Sequence, residues 1–481
     1  MEKQEISSSP VKGTMAGATP AVRSVREQLK NLRAEDFMSP NQVLCYGGGG
    51  AFQGVAKYMT VCSINIVGVI DANKRGTVDV NGKVLPYLSL SEAIEAYGTN
   101  VIVIITIANE RIFQQVKGNL LEKGFSEDRI FDLNVWTWLT VPSEKSYCKD
   151  LAGYMQFFPA GLSKCCNVGV TDAYLCEWFI EGRPLQAHMD YFLEKRMYYI
   201  AESNKGRIPL YCRGCRFLSE SPSETGTTIT QFIVSDHAFC NADCVYCCDA
   251  CSVPRQKTGA TVQERYAAIL YTLKALQQTS EGEGLDQRAI IQLAGGELTI
   301  NPHKEKIYET VKGVVGQMPE VQLQIFSNCF LYDQEIGDLL SLGKASFLQC
   351  DLDAGTPETY IKVKGFNKFD VVRENLKRYA QFGTVKLKYI VLPGWNDSQL
   401  DYEGTIALLN DLHISELQLS PEYSLSQSGN PMQIREMLYA TARFMALLEQ
   451  NNIQAVFLDV FWKREHLAIA KRLCREIQSL Y

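Results

Sequence analysis

The sequence predicts an α/β protein in two units, a doubly wound parallel sheet followed by a partial (β/α)6 barrel. Three observations predict it. A chain of 481 residues is longer than one hydrophobic core sustains, which argues for two or three domains. In the first third, continuous apolar runs alternate with helix-period segments, the pattern of parallel strands covered on both faces. Beyond residue 226, six strand-like runs recur with helical stretches between them, and consecutive βα units of this kind form a parallel, partly closed barrel.

The elements follow in order. Residues 1–35, rich in Ser, Gly, Ala and Pro and without an apolar signal-peptide core, read as a disordered tail. Residues 36–140 form the first unit: QVLCYGGGGAFQGVAKYM reads as strand, glycine turn and helix, INIVGVIDANKRG as the next strand, and VIVIITIA and RIFDL as two more. The turn departs from G-x-G-x-x-G, since Gly48 and Gly50 fit the first two positions and Gln53 takes the third. Asp71 ends the following strand at the distance expected of a residue that meets a ribose hydroxyl. Gly48, Gly50 and Asp71 are therefore candidates for a nucleotide site, the alternative being a unit that binds no ligand or binds a partner. Residues 141–225, aromatic and poorly periodic, read as a connecting layer with a few helices around Tyr174 to Ile200. The barrel occupies 226–425, its strands being TQFIVSD, AIIQLAG, VQLQIFS, SFLQCDLD, VKLKYIVLP and ELQLSPE, and 426–481 adds two helices around QAVFLDVFW. In such sheets chemistry collects at the carboxyl ends of the strands.

Composition narrows the function. Apolar residues make up 46% and charged residues 21%, a globular balance, and a net charge of −6 argues against a nucleic-acid binder. The strongest apolar stretch, Val101 to Ala108, is too short to span a bilayer, so no membrane partner is expected and the cytoplasm is the expected location. Sixteen cysteines in a reducing compartment point to metal ligands rather than disulfides.

Directly after the first barrel strand comes Cys240-Asn-Ala-Asp-Cys244-Val-Tyr246-Cys247, a C-x3-C-x2-C arrangement. Iron–sulfur clusters normally take four cysteines, so three thiolates on one loop leave one iron open to another molecule. A structural zinc is the competing reading of the cysteines alone.

Over residues 226–425 the sequence resembles the radical S-adenosylmethionine (SAM) superfamily. After the second strand, Ala294-Gly295-Gly296-Glu297 is similar to the family's GGE motif, and after the third, Ser327-Asn328-Cys329 stands where many members carry Thr-Asn-Gly. Asp351 to Tyr360 and Lys388 to Asp397 resemble the family's fourth-strand and fifth-strand segments. The resemblance implies a [4Fe-4S] cluster on Cys240, Cys244 and Cys247, with SAM contacted by Tyr246, Gly295, Gly296, Glu297, Ser327 and Asp351. It also implies an electron from flavodoxin or ferredoxin, cleavage of SAM to a 5'-deoxyadenosyl radical, and hydrogen abstraction from a small-molecule substrate. The first unit, similar in outline to accessory Rossmann-like domains of sugar biosynthesis, suggests a sugar or nucleotide-sugar; a peptide or protein substrate is the rival.

Two further C-x2-C pairs, Cys212/Cys215 and Cys248/Cys251, are candidates for a second site holding zinc or another iron–sulfur cluster, with Cys165 and Cys166 as substitutes for either pair. His237 near the loop is read as an ordinary hydrogen-bonded histidine. The alternative to an enzyme is an iron–sulfur sensor of redox state or of a nucleotide, which has no need of GGE or Asp351.

Overall fold

The computed structural model describes residues 33–148, 151, 153–158, 161–163, 177–178, 182–215, 217–220, 228–235, 240–247, 269–270, 272–274, 276–277, 284–422, 425, 430–458 and 461–479. The expected tail over 1–32, Cys165, Cys166, His237, Cys248, Cys251 and most of the helix expected at 261–278 lie outside the described residues. The chain divides into two compact units, Met1–Val141 with Ile180–Tyr198, and Pro142–Phe179 with Tyr199–Tyr481.

The first unit holds β1 (Val43–Tyr46), α1 (Gly50–Val61), β2 (Ile66–Ile70), β3 (Thr77–Val80), β4 (Lys83–Leu88), α2 (Leu90–Tyr97), β5 (Ile102–Ile105), α3 (Glu110–Glu122) and β6 (Ile130–Asp132). The sheet order is β3-β4-β2-β1-β5-β6. All neighbours are parallel except the β3–β4 hairpin at one edge, which the sequence reading missed. Its core is Leu44, Ile70, Val103, Ile105 and the helix residues Ala93 and Leu120. Strand order reverses between β1 and β5, so the glycine turn after β1 stands at the topological switch point. Glu92 and Ser89 cap α2 reciprocally, which sets its start.

The returning segment Ile180–Tyr198 is tied into this unit by charge and aromatic contacts. Arg183, its side chain nearly buried, pairs with Glu110 at 2.8 Å and Asp132 at 3.5 Å. Trp138 donates its indole N–H to the Tyr191 hydroxyl at 2.6 Å. A buried guanidinium with two carboxylates is compensated, and loss of either carboxylate leaves charge unpaired.

The second unit contains one ten-stranded sheet of order β10-β9-β8-β12-β13-β14-β15-β16-β17-β18. Its strands are β8 (Tyr154–Phe158), β9 (Gly161–Ser163), β10 (Glu177–Trp178), β12 (Ile229–Ser235), β13 (Leu285–Ala294), β14 (Gln322–Phe326), β15 (Ala345–Asp351), β16 (Val385–Val391), β17 (Glu416–Pro421) and β18 (Gln454–Val456); the short β7 (Thr140–Pro142) and β11 (Arg207–Pro209) lie outside it. From β12 to β18 every pair is parallel, and β8 joins β12 in the same sense. The six expected strands are β12 to β17. The stretch read as a connecting layer supplies edge strands: β8 pairs Gln231–Val234 with its own Tyr154–Phe157, and β9 and β10 extend the sheet antiparallel. Helices α4 (Leu185–Ser203), α5 (Lys304–Gln317), α6 (Gln334–Ser341), α7 (Pro357–Lys364), α8 (Phe369–Ala380), α9 (Gln399–Asp411), α10 (Pro431–Gln450) and α11 (Arg464–Gln478) complete the chain. Among the described residues no helix is long and apolar enough to cross a membrane.

The barrel strands are two-faced. Leu323 and Ile325, Leu348 and Cys350, Leu387 and Tyr389, and Leu417 and Leu419 are buried on one face. The alternate positions are polar or half-buried, apart from the buried Ile390 in β16. Period-two alternation within parallel strands departs from the continuous apolar pattern of a sheet buried on both sides.

Candidate active site

Strand β12 ends at Ser235, and the cysteine loop follows. Cys240 and Cys247 are exposed, Cys244 is half-buried, and none of the three is in a disulfide. Loop shape is imposed by backbone bonds: Asp243 N–H donates to the Lys364 carbonyl and Val245 N–H to the Val363 carbonyl, each at 3.0 Å, and Cys247 N–H closes a turn on the Cys244 carbonyl at 2.9 Å. On the other side Asn328 donates its amide to Asn241 at 2.7 Å. Burial pushes the Cys240 thiol up, and pushes Cys244 to about 11 although Lys364 pulls the other way, so cluster binding displaces protons from these sulfurs.

The donor set fits a cubane. Each thiolate of such a cluster takes a different iron, so the three sulfurs need not converge. Among the described residues no three His, Cys, Asp or Glu side chains gather to hold a single metal ion.

Next along the sheet, Gly295 and Gly296 follow β13 with φ of 77° and 64°, a left-handed pair that suits glycine because it carries no side chain. Glu297 beside them is 1% exposed. Its carboxylate accepts from Thr299 N–H at 3.0 Å, Thr299 Oγ1 at 2.7 Å, Ser327 Oγ at 3.0 Å and Asn328 N–H at 2.6 Å. Glu297 and Ser327, both implied SAM contacts, thus bond to each other and strap the end of β13 to the end of β14. Cys329 takes a left-handed φ of 57°, a conformation that favours glycine.

Asp351 ends β15 paired with Lys388 at 2.9 Å. Burial opposes its charge, but Lys388 and Lys364 hold the carboxyl below the usual range. The ribose partner implied by the resemblance therefore already shares its charge with a lysine of the next strand.

Tyr246, implied as an adenine neighbour, has its hydroxyl tied inward: it donates to Asp353 Oδ2 and accepts from Lys364 Nζ at 2.5 Å. Burial raises the Tyr246 hydroxyl well above its ordinary value, and Asp353 adds to that. Asp353, Lys364 and Asn396 were not among the residues singled out from the sequence. Their partners are distant in the chain, and a lone Lys or Asp beside a strand end carries no spacing signal.

A cavity of about 570 Å³ opens between this loop and the ends of β16 and β17, lined by Tyr246, Cys247, Leu392, Trp395, Glu422 and Glu436. Across the polar face of the sheet, Gln231 donates to Gln292 at 3.3 Å and Gln292 to Gln324 at 2.8 Å. Phe326 meets Phe347, Lys386 lies 4.6 Å from the Phe347 ring, and Asp351–Lys388 continues the row.

The other candidate sites read differently. Asp71 accepts Gly48 N–H at 2.8 Å on one oxygen and the N–H groups of Asn73 and Lys74 at 2.9 and 3.1 Å on the other. Its carboxyl lies below the usual range; burial works the other way, and these N–H groups with Lys74 prevail. A Cβ at Gly48 would meet Tyr87 at 2.5 Å, whereas one at Gly50 would meet nothing within 4 Å. The crowded turn explains Gly48 by packing. Cys212 is buried and Cys215 half-buried, joined by a turn from Cys215 N–H to the Cys212 carbonyl at 3.0 Å.

With this geometry in view, residues 234–402 match the family model of the radical SAM superfamily. That segment matches a radical SAM domain, and enzymes of the radical SAM superfamily use a [4Fe-4S] cluster and SAM. No curated protein sequence matches the chain. Among solved structures, Streptococcus suis SuiB bound to precursor peptide SuiA is 12% identical with a TM-score of 0.37, over 59% of this chain and 56% of that one. Native anSMEcpe with bound AdoMet is 13% identical with a TM-score of 0.35, over 47% of this chain and 63% of that one. TYW1 with a lysine-pyruvate adduct bound is 14% identical with a TM-score of 0.30, over 44% of this chain and 70% of that one. The chain thus spans less than two thirds of the length of SuiB and anSMEcpe.

Proposed function

We propose that the chain is a radical SAM enzyme in which Cys240, Cys244 and Cys247 hold a [4Fe-4S] cluster and the carboxyl ends of β12 to β17 hold SAM. The carrying observation is the placement of three cysteines on one anchored loop next to the left-handed Gly295–Gly296 turn at the adjacent strand end. When bound, cluster and SAM supply one-electron cleavage of a sulfonium and abstraction of a hydrogen atom from substrate, with flavodoxin or ferredoxin as the electron source.

The residues of the chain do the rest. The glycine pair lets a methionine amino group approach the main chain. The cavity beside Tyr246 and Cys247 accepts the adenosyl part, its apolar wall formed by Leu392 and Trp395. Glu297 holds the two strand ends in register.

The substrate in this reading is a polar small molecule, such as a sugar or nucleotide-sugar. What supports polarity is the hydrogen-bonding row Gln231–Gln292–Gln324 and Asp351–Lys388 on the sheet face. None of the eleven described cysteines is in a disulfide, which suits a reducing cytoplasm.

The test is anaerobic reconstitution with iron and sulfide, then dithionite and SAM, with 5'-deoxyadenosine read by mass spectrometry. Wild type is expected to form it and Cys244→Ala to form none. A fully loaded wild-type cluster that never cleaves SAM, with dithionite or a flavodoxin, overturns the enzyme reading in favour of a sensor.

A further inference from the structure

We infer that Lys364 and Asp353 are positioning residues that hold the cysteine loop in its ligating shape before any cluster arrives, acting through Tyr246. The inference rests on the reading that the three cysteines hold a cluster.

The ammonium of Lys364 lies 2.5 Å from Asp353 Oδ2, with the two side chains 3% and 0% exposed. Two charges withdrawn from water need every bonding site filled, or the pair destabilises its surroundings. Here the cysteine loop supplies a partner to both charges through the Tyr246 hydroxyl. Asp353 Oδ2 accepts from Lys364 and from the Tyr246 hydroxyl, and Oδ1 accepts from Ile390 N–H at 2.6 Å. Lys364 in turn donates to the Tyr246 oxygen at 2.5 Å and lies 5.0 Å from its ring centre. Tyr246 stands between Cys244 and Cys247, so whatever fixes its ring fixes the chain between two ligands.

The backbone repeats the attachment. Helix α7 starts at Pro357 with Thr356 as its cap and ends at Gly365 with φ of 80°. Its last carbonyls would lack partners within the helix. Those of Val363 and Lys364 instead receive the N–H groups of Val245 and Asp243, both at 3.0 Å. The approach is close: a Cβ on Gly365 would come 2.9 Å from Asp243 Cβ. Loop and helix end therefore template each other.

Asp353 is itself held. It adopts a left-handed φ of 58°, uncommon for a residue with a side chain. Asn396, fully buried, donates to the Asp353 carbonyl and to the Ile390 carbonyl at 2.8 Å each, and accepts from Leu392 N–H at 2.8 Å. The fifth-strand loop thus sets Asp353, Asp353 sets Lys364 and Tyr246, and they set the ligands. A loop ordered in advance loses little freedom when metal binds.

The test compares wild type with Lys364→Met, Tyr246→Phe and the double variant Lys364→Met/Asp353→Asn. Amide hydrogen exchange at Asp243 and Val245 is measured on the metal-free chain, and cluster loss to a chelator and melting temperature on the reconstituted one. Wild-type amides are expected to be protected without metal, and Lys364→Met to lose that protection and release its cluster roughly 10- to 100-fold faster. Tyr246→Phe should move both readouts the same way by less. The double variant leaves no unpaired buried charge, so its melting temperature should recover while loop exchange and cluster loss stay fast.

Variants that exchange and retain cluster like wild type overturn the inference, as does cluster retention that merely follows melting temperature. Protected amides in a wild type that takes up no iron and sulfide would instead overturn the cluster reading and leave the ordered loop standing.

Discussion

The two units of this chain place glycines and a carboxylate together at a strand end, and the carboxylates behave alike while the glycines do not. Asp71 turns back onto Gly48 and its own following turn; Glu297 turns across to Ser327 and Asn328. Both acids accept hydrogen bonds from the turns around them. In the second unit, however, the left-handed Gly295–Gly296 turn ends the strand next to the one that precedes the three cysteines, and a cavity of about 570 Å³ opens at the cysteine loop. An acid beside a glycine turn is thus weak grounds for ligand contact, because the crowded amides of the turn need an acceptor themselves. A cluster of reactive groups with space in front of it is stronger.

Substitutions sharpen this contrast. The largest effect is expected from Glu297→Ala, which strands buried donors from Thr299, Ser327 and Asn328 and should cost roughly 3 kcal/mol, read by denaturant unfolding. If Glu297→Gln restores stability and SAM binding together, its role as a strap is sustained; stability restored without SAM binding would make it a direct contact. Gly296→Ala comes next, since φ of 64° penalises a side chain by about 1–2 kcal/mol, and SAM affinity should fall with it.

Smallest is Asp71→Asn, expected to cost about 1 kcal/mol and to leave deoxyadenosine formation unchanged. Its folded carboxyl lies below the ordinary value, so its contribution is complete above the unfolded range near 4 and is lost as pH falls through the folded value. Acid titration of stability should therefore be shallower in Asp71→Asn. Loss of deoxyadenosine in that variant would break the comparison and give the first unit a part in the chemistry.

Much of the architecture was legible because it is local. The apolar runs 230–236, 289–295, 321–327, 346–353, 385–393 and 416–422 each overlap one of β12 to β17, and C-x3-C-x2-C is a spacing within eight residues. What escaped reading is non-local. β8 is a five-residue aromatic run whose strand character depends on β12, its partner far along the chain. Only Val80 and Leu85 are buried in the β3–β4 hairpin strands, which therefore lack the buried-strand signal. Tyr246 and Asp353 are separated by 107 positions, and no periodicity connects them.

The sequence by itself determined the class of chemistry, because cysteine spacing and glycine backbone freedom are properties of a few consecutive residues. The tertiary structure alone decided the use of each polar side chain. A carboxylate at a strand end takes whichever donors the fold brings within reach, so Glu297 became a strap, Asp351 a lysine's partner and Asp353 the buried anchor of the loop that carries the thiols.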